Sequence, residues 1–201
     1  MRTMPLRRRA IATLELRPGD AVLDAGCGTG LSFPIIEMAI GRGGRITGIE
    51  LSPDMARLAR ERIAGHGWIN ASVLETRIED AALDGPYDAI LFNFAHDILQ
   101  SPRALERVFD AARPGARVAA AGSKLLPWWL LPVNAYVRRI NAPYMTTFAG
   151  LDQPWRGLSA YVPDLAVAPA LWGAAYIAHG HYRLRSSSTG PNPGRAPSLE
   201  R

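Results

Sequence analysis

Between Ala21 and Ile40 the chain reads strand, glycine turn and helix in immediate succession. Ala21–Ala25 is a short apolar run with the length of a buried strand. Gly26, Gly28 and Gly30 follow at alternate positions, and residues 31–41 then take helical spacing through Phe33, Ile36 and Ile40. Glycines at such a corner let the backbone bend sharply and let a ligand approach it closely. This is the nucleotide-binding layout of a doubly wound sheet. Twenty residues beyond Gly30 stands Glu50, at the end of a second predicted strand, 45–50. A carboxylate there can accept two hydrogen bonds from a ribose diol.

The alternation continues along the chain. Residues 5–16 read as a helix with Leu6, Ala10 and Leu14 on one face and arginines on the other, ended by Pro18-Gly19-Asp20. Ser52 is placed to cap a helix, with Pro53 at its first position, that runs to about Ile63. Strands are predicted at 71–76, 87–92 and 117–121, with a helix at 102–112 and a turn at Pro114-Gly115. A helix is expected at 133–140 and a short one at 153–161. Residues 165–172 and 174–182 read as an antiparallel strand pair around Gly173. The expected fold is α/β, a Rossmann-like doubly wound, mostly parallel seven-stranded sheet with a reversed C-terminal β-hairpin. One domain is expected over 1–185, with residues 123–150 inserted to line a pocket. The Ser-, Gly- and Pro-rich stretch 186–201 is expected to be a disordered tail.

Composition narrows the class. The net charge of +5 comes from scattered arginines, which favours a solvated surface over a dedicated acidic partner. The single cysteine, Cys27, cannot form an internal disulfide and reads as small filler in the turn. No apolar run has the length of a membrane span, and no signal peptide is read, so a cytoplasmic location is expected. The Trp-rich apolar stretch 125–133 suits peripheral contact with a membrane.

The nucleotide can be narrowed further. Leu31 stands where a dinucleotide fingerprint needs its last glycine, and the Gly-Lys-Ser/Thr ending of a P-loop is absent. Asp24 beside the turn would repel phosphates but suits a ligand carrying an ammonium and a sulfonium, as S-adenosylmethionine (SAM) does.

Asp24-x-Gly26-x-Gly28-x-Gly30, followed by Gly48-Ile49-Glu50-Leu51-Ser52-Pro53-Asp54-Met55, resembles motifs I and II of class I SAM-dependent methyltransferases, including the ubiquinone/menaquinone-type group. Tyr87 to Asn93 resembles motif IV, and Arg113-Pro114-Gly115-Ala116 resembles the turn before strand five. The resemblance covers residues 10–122 and implies roles. Asp24 and the backbone of Gly26, Cys27, Gly28 and Gly30 would hold the methionine part. Glu50 would bind the ribose hydroxyls and Leu51 would pack by the adenine. Ile78 and Glu79 would meet the adenine edge, and Asn93 and Phe94 would lie under the methionine part near the acceptor. Thr76-Arg77-Ile78 replaces the family's usual Gly-Asp-Ala, so the aspartate that contacts the adenine amine is missing.

Methyl transfer is an in-line displacement, so alignment and exclusion of water dominate and a base is optional. The candidate base is His96 with Asp97 beside it; equally, Asp97 would cap the next helix and His96 would pack. Trp128, Tyr136, Tyr144 and Trp155 are the candidate acceptor-pocket residues, or aromatics packing the insertion onto the sheet. His179 and His181 alternate on one strand face without a third ligand, and no metal is predicted. The leading expectation is methylation of an oxygen or nitrogen on a small or lipophilic molecule. Gly28 to Pro34 is also similar to a run in some bacterial phospholipid N-methyltransferases, which makes a membrane lipid an alternative acceptor. A non-catalytic SAM-binding or interaction domain is a further alternative. Nucleic acid is disfavoured, because Asn93-Phe94-Ala95-His96 replaces the Asn/Asp-Pro-Pro-Tyr/Phe of base-amine methylases.

Overall fold

A computed structural model describes residues 3–126, 134–135, 139 and 148–184. The expected tail at 186–201 lies outside these residues, as do Trp128, Tyr136 and Tyr144 and most of the expected 133–140 helix.

Seven strands form one sheet: β1 (Ala21–Ala25), β2 (Arg45–Glu50), β3 (Ala71–Glu75), β4 (Tyr87–Asn93), β5 (Ala112–Ser123), β6 (Ala166–Ala170) and β7 (Ala175–His181). Their order is β3-β2-β1-β4-β5-β7-β6. Strands β1 to β5 run parallel, and β7 is antiparallel to both β5 and β6. The seven-stranded, mostly parallel sheet with its reversed hairpin is therefore present as expected. The order reverses between β1 and β4, which leaves a crevice at their carboxyl ends.

Among the described residues, helices α1 (Met4–Ala12), α2 (Phe33–Ile40), α3 (Pro53–His66), α4 (His96–Leu99) and α5 (Pro102–Asp110) pack on the sheet. Because strand side chains alternate between faces, neighbouring residues of one strand feed two cores. Val22, Ile46, Leu91 and Ile177 pack with α1, α2 and α3 through Leu6, Ile11, Phe33 and Ala59. Leu23, Ile49, Phe92 and Val118 pack on the other face with α5 through Leu105, Val108 and Phe109. Each such fully buried side chain contributes on the order of 1.5–3 kcal/mol. The Phe109 ring also stacks on Tyr161 at 4.3 Å, tying the 3-10 turn Arg156–Ala160 to α5.

Local departures from the sequence reading have physical causes. The Ser52 side chain makes no capping bond, and its backbone N–H instead donates to Glu50. Helix α3 continues past Gly65 and stops where Gly67 turns left-handed at φ 64°. The Pro114-Gly115 turn lies inside the run of β5: pairing with β4 passes from Tyr87↔Ala112 to Ala89↔Arg117, and the intervening residues loop out. The expected helix at 153–161 is the 3-10 turn Arg156–Ala160. Strand β6 ends at Ala170, because Leu171 and Trp172 take positive φ (48° and 56°) in a turn before β7.

Candidate active site

The glycine turn leaves β1 with positive φ at Gly26, Gly28 and Gly30 (79°, 58° and 72°), where a side chain would be strained. The amides of Gly26 and Cys27 both donate to the Ile49 carbonyl, at 3.0 and 2.9 Å, and so pin the turn to the end of β2. That close approach requires Gly48, where a Cβ would meet Cys27 Sγ at 2.7 Å and Phe33 Cζ at 2.8 Å. Cys27 is buried and held as the neutral thiol, since burial first and then the charges of Asp24 and Glu50 push its titration far up. It acts as the expected filler. A Cβ on Gly28 would meet nothing within 4 Å, so one side of the turn is open.

Glu50 bridges the two parts of the crevice floor. Its Oε2 accepts from the Gly28 amide at 2.9 Å and its Oε1 accepts from the Ser52 amide at 2.8 Å. Each oxygen keeps acceptor capacity for a further donor such as a ribose hydroxyl. Leu51, directly after it, is 60% exposed, an apolar wall at the rim on which a flat ring could lie.

Asp24 is fully buried, and neither carboxylate oxygen has a hydrogen-bond partner. Burial raises its pKa to about 6, against the opposing charge of Arg7 and the nearby Ser32 hydroxyl and with a smaller push from Glu50. At the end of β4, Asn93 is buried with both amide atoms unpartnered. Phe94 follows at φ 60°, a costly conformation for an aromatic residue, with its amide donating to the Ala121 carbonyl at 2.7 Å. Orphaned buried polar atoms are rare and need explaining. Here they gather where the carboxyl ends of β1 and β4 meet. A buried anion beside an open glycine turn, with an acidic bridge and an apolar rim, fits a cationic amino acid joined to a nucleoside. The residues present therefore fit SAM.

His96 begins α4 and is also buried. Its Nε2 lies 2.9 Å from the Ala149 carbonyl, which can only accept, so Nε2 carries the proton. Nδ1 is then an unprotonated acceptor, buried and without a partner. Burial pushes the imidazole pKa down, outweighing the Ala149 bond and the Asp97 charge. Asp97 lies in the first turn of α4, and Ala95 occupies the cap position.

Other expected residues are placed differently. The Ile78 side chain is in the core, so any ligand contact from it goes through backbone. The Glu79 carboxylate accepts from Ser101 Oγ at 2.8 Å, and the same Ser101 caps α5 by accepting from the Ala104 amide. Trp155 packs against Tyr176, with ring centroids 4.8 Å apart, under Lys124. His181 pairs with Asp164 at 2.8 Å on the surface. Arg7, read from sequence as solvent-facing, is 8% exposed and donates to Ser32 Oγ at 2.7 Å beside Asp24. Its signal was available: Arg7 lies four residues before the buried Ile11, at the border of the apolar stripe of α1.

Sheet order and glycine turn give a Rossmann-like α/β fold, shared with solved structures of SAM-dependent methyltransferases. The family model described as a methyltransferase domain matches residues 22–115. Across 110 residues the chain is 34% identical to a malonyl-[acyl-carrier protein] O-methyltransferase of Serratia marcescens, covering 53% of this chain and 41% of that protein. It is 29% identical to a nocamycin O-methyltransferase of Saccharothrix syringae over 92% of this chain and 70% of that protein. Among solved structures, geranyl diphosphate C-methyltransferase from Streptomyces coelicolor A3(2) superposes with a TM-score of 0.69 at 16% identity, over 90% of this chain and 76% of that one. The chain spans about half the length of most of the curated relatives it matches.

Proposed function

We propose that this chain is a SAM-dependent methyltransferase that moves a methyl group to an oxygen or nitrogen of a small or lipophilic molecule. The observation that carries this reading is the buried, unpartnered Asp24 carboxylate at the open glycine turn, with Glu50 bridging the turn to α3. SAM supplies an electrophilic methyl on a sulfonium. Asp24 binds the ammonium, Glu50 accepts from the ribose hydroxyls, and Leu51 covers one face of the adenine. Asn93 and Phe94 shape the floor beneath the methionine part, and the Ile78–Glu79 backbone borders the adenine edge. His96 holds its Nδ1 lone pair ready to take a proton from an acceptor hydroxyl or ammonium, with its tautomer set by Ala149. In this reading the acceptor pocket draws on the segment 123–150 of the same domain and on Trp155, which packs against Tyr176.

A second reading, a lipid acceptor met at a membrane surface, is favoured by one observation. Trp172 is fully exposed and Leu171 is 61% exposed, on a turn beside the carboxyl end of β5, the end of the sheet that carries the crevice. Among the described residues no helix is long and apolar enough to cross a membrane. Co-sedimentation with anionic vesicles tests the lipid reading: binding that is lost in Trp172→Ser supports it, and failure to bind removes it.

The activity itself is tested by transfer of labelled methyl from SAM to a panel of phenols, carboxylic acids, amines and aminolipids. Turnover on any of these that fails in Glu50→Ala supports the enzyme reading. A protein that binds SAM and methylates nothing in the panel points to a non-catalytic SAM-binding domain.

A further inference from the structure

The chain holds 23 lysines and arginines, and Lys124 is the single lysine among them. It is part-buried just past the carboxyl end of β5, the crevice end of the sheet, and its amide donates to the Ala174 carbonyl at 2.9 Å. Asn93 of β4 pairs with Ala121 of β5, so His96 and Lys124 each stand three residues beyond that pair on neighbouring strands. One strip of chain ties the two together. The Ala149 carbonyl faces His96 Nε2 at 2.9 Å, and the Leu151 carbonyl accepts from the Leu125 amide at 2.8 Å. Trp155 ends the strip, with Lys124 Nζ 5.8 Å from its ring centroid. Among the described residues no carboxylate pairs with Lys124. Trp155 in turn packs on Tyr176 of β7, which is 2% exposed and directly opposite Gly122 of β5. The Tyr176 ring leans over that glycine. A Cβ on Gly122 would lie 3.5 Å from Tyr176 Cε1, 3.7 Å from its hydroxyl oxygen and 3.8 Å from Phe94 Cα. The hydroxyl therefore reaches across β5 toward the residue that follows β4. Burial keeps the phenol protonated, and among the described residues nothing accepts its proton. A buried hydroxyl without a partner needs explaining.

An unpaired ammonium and an unpartnered O–H donor, both bordering one tryptophan, suit an oxyanion. A carboxylate or phosphate group can take a charge-assisted hydrogen bond from each. We propose that the methyl acceptor carries such an anionic oxygen group, and that Lys124 and Tyr176 bind it beside Trp155. This rests on the methyltransferase reading above. Pairing with a lysine lowers the nucleophilicity of the oxygen it holds. The acid group is therefore a handle, and the atom that takes the methyl is another one of the same molecule, presented to His96. Lys124 and Tyr176 are binding residues in this scheme and move no proton.

The test is calorimetry on protein saturated with S-adenosylhomocysteine, using three matched probes: 4-hydroxybenzoate, its neutral amide 4-hydroxybenzamide, and 4-hydroxyphenyl phosphate. Wild type should bind the benzoate or the phosphate about 10- to 100-fold more tightly than the amide, the range of a hydrogen bond to a charged group. The tighter of the two acids identifies the oxyanion as carboxylate or phosphate. Lys124→Met, which keeps an apolar stem over Trp155, should lose the preference, and Lys124→Arg should keep part of it. Tyr176→Phe keeps the buried ring and should reduce the preference by about tenfold. Equal affinity for acid and amide in wild type, no binding of any probe, or a preference that survives in Lys124→Met would overturn the proposal. A folded wild type that does not bind S-adenosylhomocysteine would defeat the donor reading itself, and this proposal with it. Melting temperatures are measured beside the affinities. A variant that melts like wild type and loses the preference supports the assignment.

Discussion

Replacing Asp24 with Asn should make the ligand-free protein more stable while removing its affinity for the donor. Asp24 is fully buried, and its pKa rises from 3.8 to about 6 on folding, chiefly through burial. Between those values the folded state holds a proton that the unfolded state has lost, so stability is complete below pH 3.8 and declines as pH rises toward 6. Above pH 6 the deficit is constant. At about 1.4 kcal/mol per unit, ionised Asp24 costs the empty protein about 3 kcal/mol at pH 8. Asn has nearly the shape of the protonated acid, so Asp24→Asn should gain about that amount at pH 8 and nothing at pH 3.5. For a chain of this size the gain is roughly 6–12 °C in melting temperature. His96, whose pKa burial lowers, acts in the opposite sense, removing stability as pH falls through the weakly acidic range. Comparing variant with wild type at each pH cancels that contribution. The assay is urea unfolding from pH 3.5 to 8 without ligand, alongside calorimetry with S-adenosylhomocysteine. Wild-type affinity should fall about tenfold per unit below pH 6, where the proton competes with the ammonium, and the variant should show weak affinity at every pH. A variant less stable than wild type at pH 8, or one that keeps wild-type affinity, would refute this electrostatic reading of the site.

Other perturbations separate the scaffold from the chemistry. Gly48→Ala drives a methyl group into Cys27 and Phe33 and should cost about 1–3 kcal/mol in urea unfolding, with weaker S-adenosylhomocysteine binding because the turn is displaced. Ser101→Ala removes the cap of α5 and the partner of Glu79 and should cost about 1 kcal/mol, with donor affinity unchanged. His96→Gln should leave S-adenosylhomocysteine affinity within about twofold and reduce turnover by roughly 100-fold or more, in the range of general-base catalysis; equal turnover would make His96 a packing residue. Arg117→Met breaks the largely buried pair with Asp20 (2.8 Å) and should destabilise by about 3 kcal/mol without touching the crevice.

What was legible in the sequence follows what is local. The turn at Gly26 to Gly30, the acid at the end of β2 and the alternation of apolar runs are short-range patterns, and they placed the sheet and the glycine turn at the carboxyl end of β1. Contacts across the chain were not legible. Whether Glu79 faces a ligand or Ser101 depends on how α5 is seated, and whether Ile78 points inward depends on the far core. Arg7 was misread because charge alone suggests solvent, while its place on α1 sets it against Ser32. Gly48 stands at the head of the motif II run, but that run does not reveal that it sets how closely the glycine turn can approach β2. The turn at Leu171-Trp172 was read as strand because apolar β-formers hide a positive φ that the backbone alone determines.

The most direct measurement is calorimetric titration of the purified protein with S-adenosylhomocysteine, beside Glu50→Ala and with NADH as a control ligand. Binding that is lost in Glu50→Ala and absent with NADH is the expected result. A folded wild type that binds neither ligand, or one that prefers NADH, would contradict the reading of the crevice as a methyl-donor site.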